Sequence, residues 1–112
     1  MFIEKNKPIR SRRIREAARG EPCAVRIPGV CSHDAETTVF AHFSYASSGM
    51  GTKPSDTSGA FSCDACHSVI DGRRPRPHGV LKEDLEWCKA RGMAETIGRL
   101  VDLGIIAVKG AA

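Results

Sequence analysis

A chain of 112 residues with 41% hydrophobic and 27% charged residues fits one small soluble domain with a modest core. Aromatic residues make up only 5%, so bulky core filling is scarce and a metal that ties loops together would help such a chain fold. No segment approaches the roughly 20 apolar residues of a membrane span, and the basic amino terminus lacks the apolar stretch of a secretory signal. A cytoplasmic protein with reduced thiols and no membrane partner is expected, so its five cysteines point to metal or chemistry rather than disulfides.

The net charge of +4 is unevenly placed. Residues 1–20 carry seven basic and two acidic side chains, a balance of +5, leaving the remainder near −1. A basic arm on a neutral body suits a phosphate backbone, and equally suits a solvated leader. Residues 1–10 read as a flexible basic leader and 11–112 as a single domain. Ser11 is placed to cap a short helix running to about Arg19, ended by Gly20. "CAVRIPGVC" then reads as a hairpin about Pro28-Gly29, and "TTVFAHF" as a strand with His42 near its end. "SYASSGMGTKPSDTSG" reads as a long loop. A short extended piece over Ala60–Ser62 follows, then a helix from Cys63 or Asp64 to about Asp71, stopped by Gly72 and "RRPRP". "KEDLEWCKAR" and "MAETIGRLVDL" read as helices broken at Gly92, and "IIAV" as a last strand.

The string Cys63-Asp64-Ala65-Cys66-His67 admits two chemistries, covalent haem attachment or zinc. Haem would leave Cys23 and Cys31 without a task. Those two, with seven residues between them, and the Cys63/Cys66 pair, separated from them by 31 residues, make the two loops of a four-thiolate zinc site. Such a site contributes on the order of 10 kcal/mol to folding. A thioredoxin-like redox role needs a βαβ context that is absent, and Cys88 reads as core.

With Cys63 and Cys66 on zinc, His67 is left for other work. His67 and Asp71 stand at i and i+4, one face of a helix, where an imidazole and a carboxylate can share a divalent ion. His42, brought opposite from the strand, would be a base facing a metal, an arrangement able to hydrolyse a phosphodiester. From the residues alone, Asp71 reads first as a local cap. His42 divides evenly between a half-buried structural imidazole and a base. Arg73, Arg74 and Arg76 follow that helix, and "GMGTKPSD" offers glycine amides and Lys53 to a phosphate.

"RIPGVC", "AHF", "GMGTKPSD" and "CDACHSVID" together resemble the small YbcO-type prophage nucleases and, more broadly, the HNH or ββα-metal endonucleases. The resemblance runs from about Arg12 to the carboxy terminus. It implies an α+β fold, a small zinc-stapled ββα-metal core with additional C-terminal helices. It also implies a structural Zn²⁺ on Cys23, Cys31, Cys63 and Cys66, His42 as general base, and His67 with Asp71 as ligands of a divalent metal such as Mg²⁺, Mn²⁺ or Ni²⁺. The implied activity is hydrolysis of DNA, with Arg12, Arg13, Lys53, Arg73, Arg74 and Arg76 on its backbone. The sequence departs from the HNH pattern at Ala41, where many members carry a ligand, and in having no clear central Asn, although Asp56 stands near that place. The alternative is a non-catalytic zinc module binding nucleic acid or phage recombination and replication proteins.

Overall fold

The computed structural model describes residues 8–44 and 54–110. Within them the order is α1 (Arg12–Ala17), a single 3₁₀ turn (Ala35–Thr37), β1 (Val39–His42), β2 (Gly59–Ser62), α2 (Asp64–Ile70) and α3 (Lys82–Asp102). This is a small α+β fold with a two-stranded antiparallel sheet and three helices. The sheet pairs Val39 with Ser62, Phe40 with Phe61, Ala41 with Ala60 and His42 with Gly59. Strand alternation splits these residues between two apolar clusters. Phe40 and Phe61 join Ile14, Ala18, Ala24 and Leu100, while Ala41 and Ala60 join Val25, Ile27, Phe43 and the buried cysteines.

The helix starts follow local chemistry. The Ser11 hydroxyl accepts from the Ile14 amide to open α1, and the Asp84 carboxylate accepts from the Leu81 amide at 2.9 Å at the start of α3. α2 is opened by a sulfur, the Cys63 Sγ accepting from the Cys66 amide at 3.4 Å.

Three expected elements come out differently. No hairpin forms about Pro28-Gly29, because the Arg26 and Ile27 amides donate to the sulfurs of Cys23 and Cys66, each at 3.4 Å, instead of to a strand ladder. Arg26 takes a left-handed φ of 47° to allow this. The segment is a thiol-binding knuckle, held against the sheet edge by the Ala24 amide donating to the Phe61 carbonyl at 2.8 Å.

α3 is continuous through Gly92, whose lack of a side chain lets the helix approach the knuckle and β2. A Cβ there would lie 3.2 Å from Val25 Cγ2 and 3.3 Å from Ala60 Cβ. The buried stripe of α3 is accordingly Cys88, Gly92, Thr96 and Leu100, not the larger Ile97 and Val101, which are more than a third exposed. Thr96 joins the packing with a polar bond, accepting from the Phe61 amide at 3.0 Å.

"IIAV" is not a strand. After Gly104 at φ 74° the Ile105 and Ile106 amides both donate to the Leu100 carbonyl, closing the helix end. The expected leader lies outside the described residues through position 7. Beyond it, Ile9 exchanges hydrogen bonds with Ser55 and Asp56, so the chain is already docked before α1 begins.

Candidate functional site

The knuckle and the amino terminus of α2 bring four thiols together. The Sγ atoms of Cys23, Cys31, Cys63 and Cys66 all lie within 4.8 Å of one another, with Cys31 and Cys63 at 3.9 Å. Tetrahedral zinc with bonds of about 2.3 Å puts its sulfurs about 3.8 Å apart, so the cluster fits an ion of that size. The other marks of a thiolate site are present. Cys23, Cys63 and Cys66 each receive a backbone N–H, and three of the four cysteines are buried.

The thiols share protons unequally. The Cys66 thiol donating to Cys23 pulls Cys23 down to about 4, against the upward push of burial. Cys66 is raised for the same reason, and burial lifts Cys31 to about 11. Four mutually repelling thiolates keep their last protons until a cation replaces them. The cluster can therefore hold a metal ion such as zinc. Among the described residues it is the one group of three or more His, Cys, Asp or Glu ligand atoms that converges.

α3 braces the knuckle from outside. Glu95 forms a two-pronged ion pair with Arg26, and Arg91 and Arg99 donate to the carbonyls of Val25 and Pro22. The Arg26 bonds, followed by opposing burial, set Glu95 below the usual carboxylate range.

The second constellation sits at the end of β1. His42 Nε2 lies 2.7 Å from Asp56 Oδ1, and the Asp56 carboxylate is almost wholly buried. Its Oδ2 accepts from the Ser11 amide at 2.6 Å and faces Arg15 at 3.4 Å. Burial pushes Asp56 up, but the bonds from His42 and Ser11 and the nearby guanidinium outweigh it, so the group is held below the ordinary aspartate value. A buried anion with three donors is a fixed point for orienting an imidazole. With the Nε2 proton directed at Asp56, the Nδ1 lone pair is left to accept a proton. Arg10, Arg15, His42, Pro54 and Asp56 line a cleft of about 410 Å³.

Asp56 is the residue whose role sequence reasoning missed, with Arg10 and Arg15 beside it. A signal existed. His42 pairs with Gly59 across the sheet, so the last residues of the intervening loop must return beside His42.

His67 lines a different cleft of about 550 Å³, with Thr37, Val39, Phe40, Asp64 and Arg73. Phe40 belongs to this cleft and also packs edge-on against the His42 ring, centroids 5.1 Å apart. His67 Nε2 and Asp71 Oδ2 are 3.2 Å apart, as an i, i+4 pair should be, and Arg73 reaches the same oxygen at 3.3 Å. Asp71 is also the C-cap residue of α2. No third ligand joins this pair among the described residues.

Of the expected backbone-binding arginines, all are exposed. Arg12 pairs with Glu16 at 2.8 Å and Arg76 donates to the Val80 carbonyl. Lys53 lies outside the described residues. Ala41, at the position where a further ligand was sought, is fully buried in the cluster containing the cysteines.

A family profile described as "Putative nuclease YbcO" matches residues 12–105. The chain belongs to the YbcO family. It is 45% identical over 84 residues to the "Putative nuclease YbcO" of Escherichia coli K12, covering 74% of this chain and 84% of the relative. The same identity and coverage hold for the phage 82 protein of that name. Among solved structures, a bacteriophage protein described as putative, from E. coli K-12 MG1655, aligns with a TM-score of 0.67 and 40% identity. That alignment covers 82% of this chain and all of the other. No helix among the described residues is long and apolar enough to cross a membrane.

Proposed function

We propose that this YbcO-family protein is an HNH-like, metal-dependent endonuclease acting on DNA, in which β1, β2 and α2 form the ββα unit and a zinc on Cys23, Cys31, Cys63 and Cys66 staples it. The observation that carries the reading is the His42–Asp56 pair. An imidazole at a strand end, oriented by a buried carboxylate and bordered by two arginines, is built to take a proton beside an anion. The nuclease names of the relatives support the same class.

In this reading His42 Nδ1 accepts the proton of the attacking water while Asp56 stabilises the resulting imidazolium. Arg12, Arg13, Arg73, Arg74 and Arg76 meet the backbone on either side, and Lys53 belongs to the same set. A divalent ion on His67 and Asp71 would supply charge neutralisation at the phosphate and leaving oxygen. To receive one, Asp71 exchanges its bond with Arg73 for the ion.

One observation favours a second reading, a zinc-containing nucleic-acid-binding module without hydrolysis that serves phage recombination or replication proteins. His67 and Asp71 lack a third protein ligand, and Asp71 is already paired.

Nicking of supercoiled plasmid with Mg²⁺, Mn²⁺ or Ni²⁺ decides between them. The nuclease reading expects wild-type cleavage and a loss of about 10²-fold or more in His42→Ala. Absence of cleavage with every ion would favour the binding module, and equal cleavage by the variant would remove His42 as the base.

A further inference from the structure

The His42 cleft contains more positive charge than a general base requires. Arg10 and Arg15 come from the chain entering α1 and from α1 itself, and both reach the cleft that His42 lines from β1. Their attachments are built rather than incidental. Arg10 Nη1 donates to the Pro54 carbonyl at 2.6 Å, which holds its guanidinium at the cleft edge. Arg15 rests against the buried Asp56 at 3.4 Å while its side chain stays 46% exposed. One buried carboxylate thereby sets the place of both Arg15 and His42.

Among the described lining residues, two guanidiniums stand with one carboxylate, a balance of +1 before any charge on His42. Guanidiniums held in place by carbonyl and carboxylate partners, yet open to solvent, are suited to a phosphate oxygen.

We infer that Arg10 and Arg15 form a phosphodiester-binding subsite in the His42 cleft, distinct from the basic surface at Arg73–Arg76. This rests on the DNA-binding part of the proposed function and not on cleavage. The subsite grips one backbone phosphate of bound DNA beside His42. Because Arg15 shares Asp56 with His42, the grip also fixes the distance between that phosphate and the imidazole. The arginines act as binding and positioning residues, and proton transfer stays with His42.

The test uses the full-length, zinc-loaded protein, a fluorescein-labelled DNA duplex and no added Mg²⁺, Mn²⁺ or Ni²⁺, so that affinity is read without cleavage. Fluorescence anisotropy across a salt series is compared for wild type, Arg10→Gln, Arg15→Gln, Arg15→Lys and the charge-matched control Lys82→Gln on the exposed start of α3. The inference expects the Arg10→Gln and Arg15→Gln variants each to bind about 10-fold more weakly. The slope of log affinity against log salt should fall by about 1 when both are changed. Lys82→Gln should shift affinity less than twofold, and Arg15→Lys should recover part of the loss.

Circular dichroism and thermal melting identify folded variants. Should Arg15→Gln fail to fold, Arg10→Gln and Arg15→Lys carry the comparison. Wild-type affinity and salt slope in folded Arg10→Gln and Arg15→Lys would overturn the subsite, as would an equal loss in Lys82→Gln. If His42→Ala abolishes no cleavage yet the arginine variants lose binding as expected, the nuclease mechanism fails and the subsite stands.

Discussion

Asp56→Asn preserves the shape of the buried side chain and removes its charge. Asp56 accepts from His42 Nε2 at 2.7 Å through one oxygen, and from the Ser11 amide at 2.6 Å and Arg15 at 3.4 Å through the other. An asparagine has one oxygen. The Ser11 amide can only donate, so the oxygen stays with it and the amino group turns to His42. Nε2 must then become an acceptor, which moves the ring proton to Nδ1 and removes the lone pair that would receive a proton from water. The structural cost is the loss of charge assistance in a buried bond, about 2 kcal/mol, with a smaller contribution from the half-exposed Arg15.

Unfolding of the zinc-loaded protein in urea at pH 7 measures that cost, and nitrogen NMR of His42 reads the tautomer. The pH dependence has a definite sign. Asp56 is depressed in the folded state, so its stabilisation is complete above its unfolded value of about 3.9 and disappears as pH falls through the lower folded value. The stability difference between wild type and variant should therefore shrink as pH drops below about 4. A difference under about 0.5 kcal/mol at pH 7, or an unchanged His42 tautomer, would refute the role given to Asp56.

Metal analysis should find about one zinc per chain, lost in Cys23→Ser and released on acidification, because the thiols must be deprotonated to bind it. A Cys23→Ser protein with full zinc content and unchanged melting would rule out the four-cysteine site. Gly59→Ala should lower stability by about 3 kcal/mol or more, since its Cβ would lie 2.1 Å from the Ala41 carbonyl oxygen and 2.8 Å from Phe40 Cε1, and backbone cannot yield cheaply. Gly98→Ala, with nothing within 4 Å on a helix interior, should raise stability by about 0.5–1 kcal/mol. Thermal melting compares the two.

Much of the four-cysteine cluster was legible because cysteine pairing is a short-range code. A C-x-x-C at a helix start and a second pair on one earlier loop leave few geometries, and the four sulfurs do converge. The helix starts at Ser11 and Cys63 and both strands were legible for the same reason. Caps and β-branched runs act over a few residues. The knuckle was misread as a hairpin because its amides bond to sulfur, a choice that exists only once Cys66 arrives from 39 residues away. Gly92 was misread as a break because the small gap it fills belongs to Val25 and Ala60.

The sequence by itself determined the thiol donors, the two strands with their histidine, the i, i+4 pairing of His67 with Asp71, and the excess of positive charge at the amino-terminal end. Each depends on residue type and local spacing, which no tertiary contact can change. Only the tertiary structure decided which carboxylate serves His42. It also decided that Arg10 and Arg15 share its cleft, and that His67 lines a different one together with Phe40. Those are separations of 14 to 32 residues closed by packing, and a buried charge takes its meaning from neighbours that the chain brings back to it.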